Sequence, residues 1–145
     1  MPIRPENKAR YPKDWSAISR AAKERAGWKC QHAGCTARQY SIGIWHRLEG
    51  GPHQWAEQYE PEATYAEART VAAEAWWEGQ HVGGEKLTII VLTVAHLNHQ
   101  PEDCRPENLA AMCQRHHLSY DAELHKTTAY ATRKKRALTL DMFDA

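Results

Sequence analysis

The stretch Leu92–Asp121, LTVAHLNHQPEDCRPENLAAMCQRHHLSYD, decides how this chain is read. Its start belongs to an apolar run, Leu87 to His96, whose β-branched residues (Thr88, Ile89, Ile90, Val91, Thr93, Val94) predict one strand. A polar loop with Pro101 and Pro106 follows, and a helix is then expected to begin near Met112 and run past Leu124. Five of the chain's nine histidines fall between His96 and His125, together with two of its four cysteines. Packing does not explain that density of imidazole and thiol; ligand or acid–base chemistry does.

Cys113 and His116 stand three apart at the expected start of that helix, where side chains at i and i+3 share a face. Cys30 and Cys35 lie in a short Gly-containing knuckle, so that two thiolates can converge on one tetrahedral ion at about 2.3 Å. The expected site is a structural zinc bound by Cys30, Cys35, Cys113 and His116, with His32 and Cys104 as substitutes. His117 points about 100° round the helix from His116 and meets a different neighbour. His117 and Asp121, at i and i+4, are expected to hold a second, catalytic divalent ion, with His125 trailing on the same face. Both aim back at the strand end His96-Leu97-Asn98-His99, and such convergent N and O donors suit metal-assisted hydrolysis. An ion there stabilises charge on a phosphate while a neutral histidine takes a proton from water.

The rest of the chain limits the alternatives. With 145 residues, 42% apolar and 26% charged, it has the size and composition of one globular domain. The longest apolar run is too short to cross a bilayer, and the N-terminus has basic residues but no apolar core of a secretory signal, so no membrane partner and a reducing cytoplasm are expected. A first helix is predicted from Asp14 to Gly27 through Trp15, Ile18 and Ala22. Residues 40–60 read as mixed, with a strand over Tyr40–Trp45 and a loop at Gly50-Gly51-Pro52. A second helix is predicted from Pro61 to Gly79, with Tyr65, Ala68, Ala72, Ala75 and Trp76 as its inward stripe, before a break at Gly83-Gly84.

Net charge of +1 hides an asymmetry: residues 1–38 carry nine Lys/Arg and three acids, residues 39–95 three against eight, and Arg133–Arg136 (RKKR) is a second basic cluster. A polyanion could meet both basic ends.

The quoted stretch resembles the HNH endonucleases, the ββα-metal nucleases, and is similar to their phage and prophage members. The likeness rests on a strand ending in His96, on Pro106-Glu107-Asn108-Leu109, and on Cys113-Gln114-Arg115-His116-His117, and RYPKDW (10–15), ERAGWKCQ (24–31), TRKKRA (132–137) and LDMF (140–143) extend it. Residues 40–85 match poorly. The resemblance implies an α+β fold with a small ββα-metal core, flanking helices and a structural zinc staple. It implies that His96 is the general base, Asn108 the asparagine that braces the loop and orients it, and His117 a ligand of the catalytic metal. Many members place Asp or His just before the base, where this chain has Ala95, so either His96 is the base and His99 or Asn98 assists the metal, or His96 binds metal and His99 is the base. The spacing from His96 to Asn108 favours the first.

The expected function is divalent-metal-dependent hydrolysis of DNA, nicking or weakly selective, with Mg²⁺ or Mn²⁺ (Ni²⁺ or Zn²⁺ as alternatives) as cofactor beside the structural zinc. Phage packaging or replication proteins are the expected protein partners. The expected layout is one domain: a basic N-terminal helix (1–29), the knuckle (30–39), an insertion with one helix (40–85), the core (86–125) and a basic tail (126–145). The rival reading is a zinc-stabilised nucleic-acid-binding or adaptor module with an inactive cavity.

Overall fold

The apolar run after Leu87 does not form one strand. A computed structural model describes residues 3–77 and 86–141, with the backbone alone for 138–141, and the run is divided there between two sheets. Strand β1 (Ile42–Arg47) pairs antiparallel with β2 (His53–Tyr59) and, on its other side, with β3 (Thr88–Ile89). Strand β4 (Leu92–His96) pairs instead with β5 (Leu109–Cys113), setting His96 opposite Leu109 and Leu92 opposite Cys113.

The division at Ile90 has a hydrogen-bonding cause. Ile90 is fully buried; its N–H donates to Ser41 O (2.9 Å), and its carbonyl accepts from Tyr40 N (2.8 Å). The next two amides turn to glutamine side chains: Val91 N donates to Gln114 Oε1 (3.2 Å) and Leu92 N to Gln39 Oε1 (2.6 Å). Gln114 Nε2 donates in turn to Ile89 O (2.8 Å). The backbone thus passes from one sheet to the next with its polar groups satisfied.

Helix α1 (Trp15–Arg25) follows Asp14 as expected, although the Asp14 side chain makes no capping bond. Gly27, at φ +63°, takes the left-handed turn after it. Ala22, Ile18 and Trp15 pack this helix on Val94 and Leu109 of the β4–β5 hairpin. A 3-10 turn over Pro5–Arg10, not foreseen, precedes it.

Helix α2 (Tyr65–Trp77) starts later than Pro61 because a capping box sets its beginning: Glu67 N donates to Thr64 Oγ1 (3.2 Å) and Thr64 N to Glu67 Oε2 (2.9 Å). Only the alanines of the expected stripe are inward. Ala68 and Ala75 are buried, whereas Tyr65 and Trp76 are exposed and Trp77 is 90% exposed. The expected stop at Gly79 and break at Gly83-Gly84 lie outside the described residues.

The helix expected from Met112 is also corrected. Met112 and Cys113 close β5, because the register with β4 runs to Cys113. Two helices follow, α3 (Gln114–Tyr120) and α4 (Ala122–Asp141), separated at Asp121. The expected basic tail is therefore helical as far as Asp141, and residues 126–137 of it are exposed. The insertion over 40–85 carries two strands as well as its helix.

The architecture is mixed helix and strand, with a hairpin that runs directly into α3. One buried cluster, including Cys30, Ala37, Trp55, Ile90, Leu92, Ala95, Met112 and Cys113, joins the knuckle, both sheets and the base of α3. Among the described residues no helix is long and apolar enough to cross a membrane.

Strand β1 runs close against β2 at Gly43. A Cβ there would lie 2.2 Å from Ala56 O and 2.9 Å from Glu57 Cα, both backbone. Gly43→Ala is expected to destabilise the protein by about 1–3 kcal/mol or more, read as a lower urea midpoint. A midpoint equal to the parent's would contradict this close approach.

Candidate functional site

The knuckle is closed by its own backbone. Cys30 N donates to Ala37 O (2.9 Å) and Cys35 N to His32 O (3.0 Å), and Gly34 at φ +77° supplies the turn. Cys113 is the last residue of β5 and His116 the third of α3, so strand and helix deliver the other two side chains. The donor atoms of Cys30, Cys35, Cys113 and His116 all lie within 4.8 Å of one another. His116 Nδ1 is 3.2 Å from Cys113 Sγ and 3.6 Å from Cys30 Sγ.

Thiols this crowded cannot all ionise unaided. Hydrogen bonds from Cys113 and then Cys35 hold the Cys30 thiol far below its usual range, while the contact with Cys30 pushes Cys113 far above it. A cation lets all three sulfurs act as thiolates, so the group could hold a structural metal ion such as zinc. His32, the proposed substitute, instead stacks on His116 (3.9 Å between ring centroids). Trp45 stands edge-on to His116 and carries Arg115 over its own ring at 5.3 Å. Cys104, the other substitute, lies beside His96.

One residue on, His117 faces elsewhere. Its Nδ1 is 2.5 Å from Thr93 Oγ1 and its Nε2 is 3.1 Å from Asp121 Oδ2, while Asp121 Oδ1 is 3.2 Å from His99 Nδ1. The Asp121 carboxylate thus joins two imidazoles, one at each oxygen. His99 adopts φ +58°, and its N–H donates to His96 O (2.9 Å). His96, His99, His117, Asp121 and His125 all line one cavity of about 440 Å³. Arg4, Arg10 and Tyr11 also line it. Burial lowers the pKa of His117 from its usual value, against the pull of Asp121. Among the described residues, however, only the Cys30 group brings three or more donor atoms within 4.8 Å of one another.

Asn108 is buried and fully engaged. Its Oδ1 accepts from Asn98 N (3.1 Å), and its Nδ2 donates to Asn98 Oδ1 (2.9 Å) and Asp103 O (2.8 Å). With Leu97 N donating to Asn108 O (2.8 Å), both ends of the loop between β4 and β5 are tied together. Within that loop the Arg105 guanidinium holds the Asp103 carboxyl down to about 2.

His96 is 7% exposed. Its ring stacks on Trp15 at 4.9 Å, with Tyr11 edge-on at 5.7 Å. The Cys104 thiol donates to Pro101 O (3.3 Å), which leaves its sulfur to accept from His96 Nε2 at 3.7 Å. That arrangement puts the imidazole proton on Nε2 and leaves the Nδ1 lone pair without a protein partner among the described residues. Burial keeps His96 below its usual pKa. Sequence reasoning did not find Trp15, Tyr11 and Cys104 as the residues that hold this ring. The only available signal was the RYPKDW segment, since a Trp stacked across the fold has no spacing rule. Arg10 pins the same segment to the loop through Glu102 (2.6 Å).

Two measurements follow from this geometry. A chain purified without chelator is expected to carry about one tightly held zinc per molecule, and stripping it, or Cys113→Ser, should lower the thermal midpoint. A stripped protein with the parent's midpoint would remove the structural role. For His96, ring ¹⁵N shifts should report the Nε2-protonated tautomer and a titration midpoint below 6.5. Since the unfolded chain binds that proton more readily, His96 contributes a loss of stability as pH falls below 6.5 towards its folded value. In Cys104→Ala the tautomer preference should weaken; an Nδ1-protonated ring in the parent would contradict the assignment.

Comparison of the chain with protein-family models, with curated proteins and with solved structures finds no match; the functional reading therefore rests on these side chains.

Proposed function

We propose that the chain is a metal-dependent endonuclease of the HNH, ββα-metal type, hydrolysing DNA phosphodiester bonds by nicking or weakly selective cutting. The observation that supports it best is the convergence of His96, His99, His117 and Asp121 on one cavity that Arg4 and Arg10 also line. His96 is the general base in this reading. Its Nδ1 is the lone pair available to a water, whereas His99 Nδ1 is engaged by Asp121. Trp15 and Cys104 hold that ring, and Asn108 holds the loop that follows it. His117 and Asp121 would hold Mg²⁺ or Mn²⁺, which when bound supplies stabilisation of charge on the phosphate and the departing oxygen. A hard cation completes its shell from water and phosphate, so two protein donors are enough. A zinc ion on Cys30, Cys35, Cys113 and His116 would be structural. Basic side chains of residues 4–29 and of the RKKR cluster would contact phosphates, positioning a duplex without reading its sequence. A cytoplasmic, phage-type setting suits four free thiols, and Trp77, 90% exposed on an acidic segment, offers a contact for a packaging or replication protein.

One observation favours a second reading, a zinc-stabilised nucleic-acid-binding or adaptor module. Ala95 is fully buried and offers no donor beside His96, and Asp121 is already satisfied by two imidazoles.

Plasmid nicking separates the two. Mg²⁺ or Mn²⁺ should convert supercoiled plasmid to open circle and EDTA should stop it. His96→Ala and His117→Ala should each slow it by about 10²-fold or more while retaining the circular dichroism of the parent. Unchanged cutting by a folded His117→Ala protein would overturn the site; duplex binding with no nicking under any divalent cation would favour the adaptor.

A further inference from the structure

Trp15, whose ring stacks on His96, also lines a second hollow of about 410 Å³ between α1 and residues 28–40. Two more aromatic side chains, Trp28 and Tyr40, line it with Arg20, Lys23 and Gln39. Trp28 and Tyr40 both sit in the left-handed region, at φ +56° and +59°, where bulky residues are rarely found. Hydrogen bonds enforce it: Trp28 N donates to Lys23 O (2.9 Å), Gln39 N to Trp28 O (2.9 Å) and Tyr40 N to Ile90 O (2.8 Å). Strain held this way clusters at ligand sites.

The polar groups of the hollow are specific. Gln39 Oε1 is taken by Leu92 N, which fixes the amide and leaves its Nε2 donor without a protein partner among the described residues. Lys23 is partly buried beside these rings with no carboxylate paired to it among the described residues, and burial lowers its pKa. Arg20 adds a guanidinium, shared with Glu24. Aromatic side chains for a flat heterocycle, a fixed amide for its edge and an ammonium with no carboxylate paired to it among the described residues describe a base and a phosphate together. An apolar peptide would leave Lys23 uncompensated, and a free anion would make no use of the rings.

We propose that this hollow binds an unpaired nucleotide of a nucleic-acid strand, its base against Trp28 and Tyr40 and its phosphate at Lys23. The inference deepens the nuclease reading by naming a strand with an unpaired base as the substrate class, and rests on it only for the role of the neighbouring cavity. Trp15, which lines this hollow and stacks on His96, is the side chain that joins it to the neighbouring cavity.

The test is fluorescence anisotropy of 5′-fluorescein hexathymidylate with the full chain and no added divalent cation. Unlabelled hexathymidylate should compete, while a blunt-ended duplex and inorganic phosphate should compete far less. Trp28→Gly keeps the left-handed backbone and removes the ring; it should weaken binding roughly tenfold. Lys23→Gln should flatten the dependence of log K on log salt by about 0.7. Circular dichroism and zinc content report that both variants fold. Binding that neither variant alters, or equal competition by the duplex or by phosphate, would overturn the proposal. Plasmid nicking by the same preparations keeps the two readings apart. Nicking absent with oligonucleotide binding still sensitive to both variants sinks the nuclease and leaves this site standing, whereas nicking present with insensitive binding sinks this site alone.

Discussion

The convergence of Cys30, Cys35, Cys113 and His116 is the constraint on which the rest of the fold depends. These four side chains come from a knuckle, a strand end and a helix start, and two of them belong to the main buried cluster. With the hairpin tied to the knuckle at this point, the start of α3 is fixed relative to β4. That fixes the direction of His117 as well, since neighbouring residues on a helix point about 100° apart. One side of α3 serves the scaffold and the other serves the cavity, so geometry at 116 and geometry at 117 are one problem.

The cavity is assembled from the two ends of the chain. Tyr11 and Trp15 from the N-terminal segment cover His96, and His117, Asp121 and His125 come from α3 and the start of α4. The covering rings desolvate His96, and the Cys104 sulfur orients it. Burial and orientation together lower the proton affinity of this imidazole and turn one of its nitrogens to the Cys104 sulfur.

Much of this was legible in the sequence where helix geometry does the work. The nearness of His117 to Asp121 was legible because an interval of four has a fixed meaning on a helix; Cys113 meets His116 from the end of a strand, just before the helix begins. Asn108 was singled out only by the family resemblance and has no spacing rule of its own; its side chain ties the ends of the loop together. The two-sheet division of residues 87–96 was not, because a β-branched run looks alike whether it feeds one sheet or two. Strand β2 was hidden by its polar residues, His53, Gln54, Glu57 and Gln58, which a mostly half-exposed hairpin tolerates. The start of α2 is written in Thr64 and Glu67, whose reciprocal bonds outweigh the helix-starting tendency of Pro61.

The glutamine junction between the sheets carries a consequence for chemical ageing and for sequence drift. Gln114 accepts from Val91 and donates to Ile89 through the two halves of one amide. A carboxylate of the same shape could keep the first bond and would turn a lone pair towards a carbonyl oxygen at the second, so deamidation there would open the seam from which β4, and with it His96, extends. What the position demands is a group that gives and receives hydrogen at once, and volume or hydropathy are poor guides to which replacements it will accept.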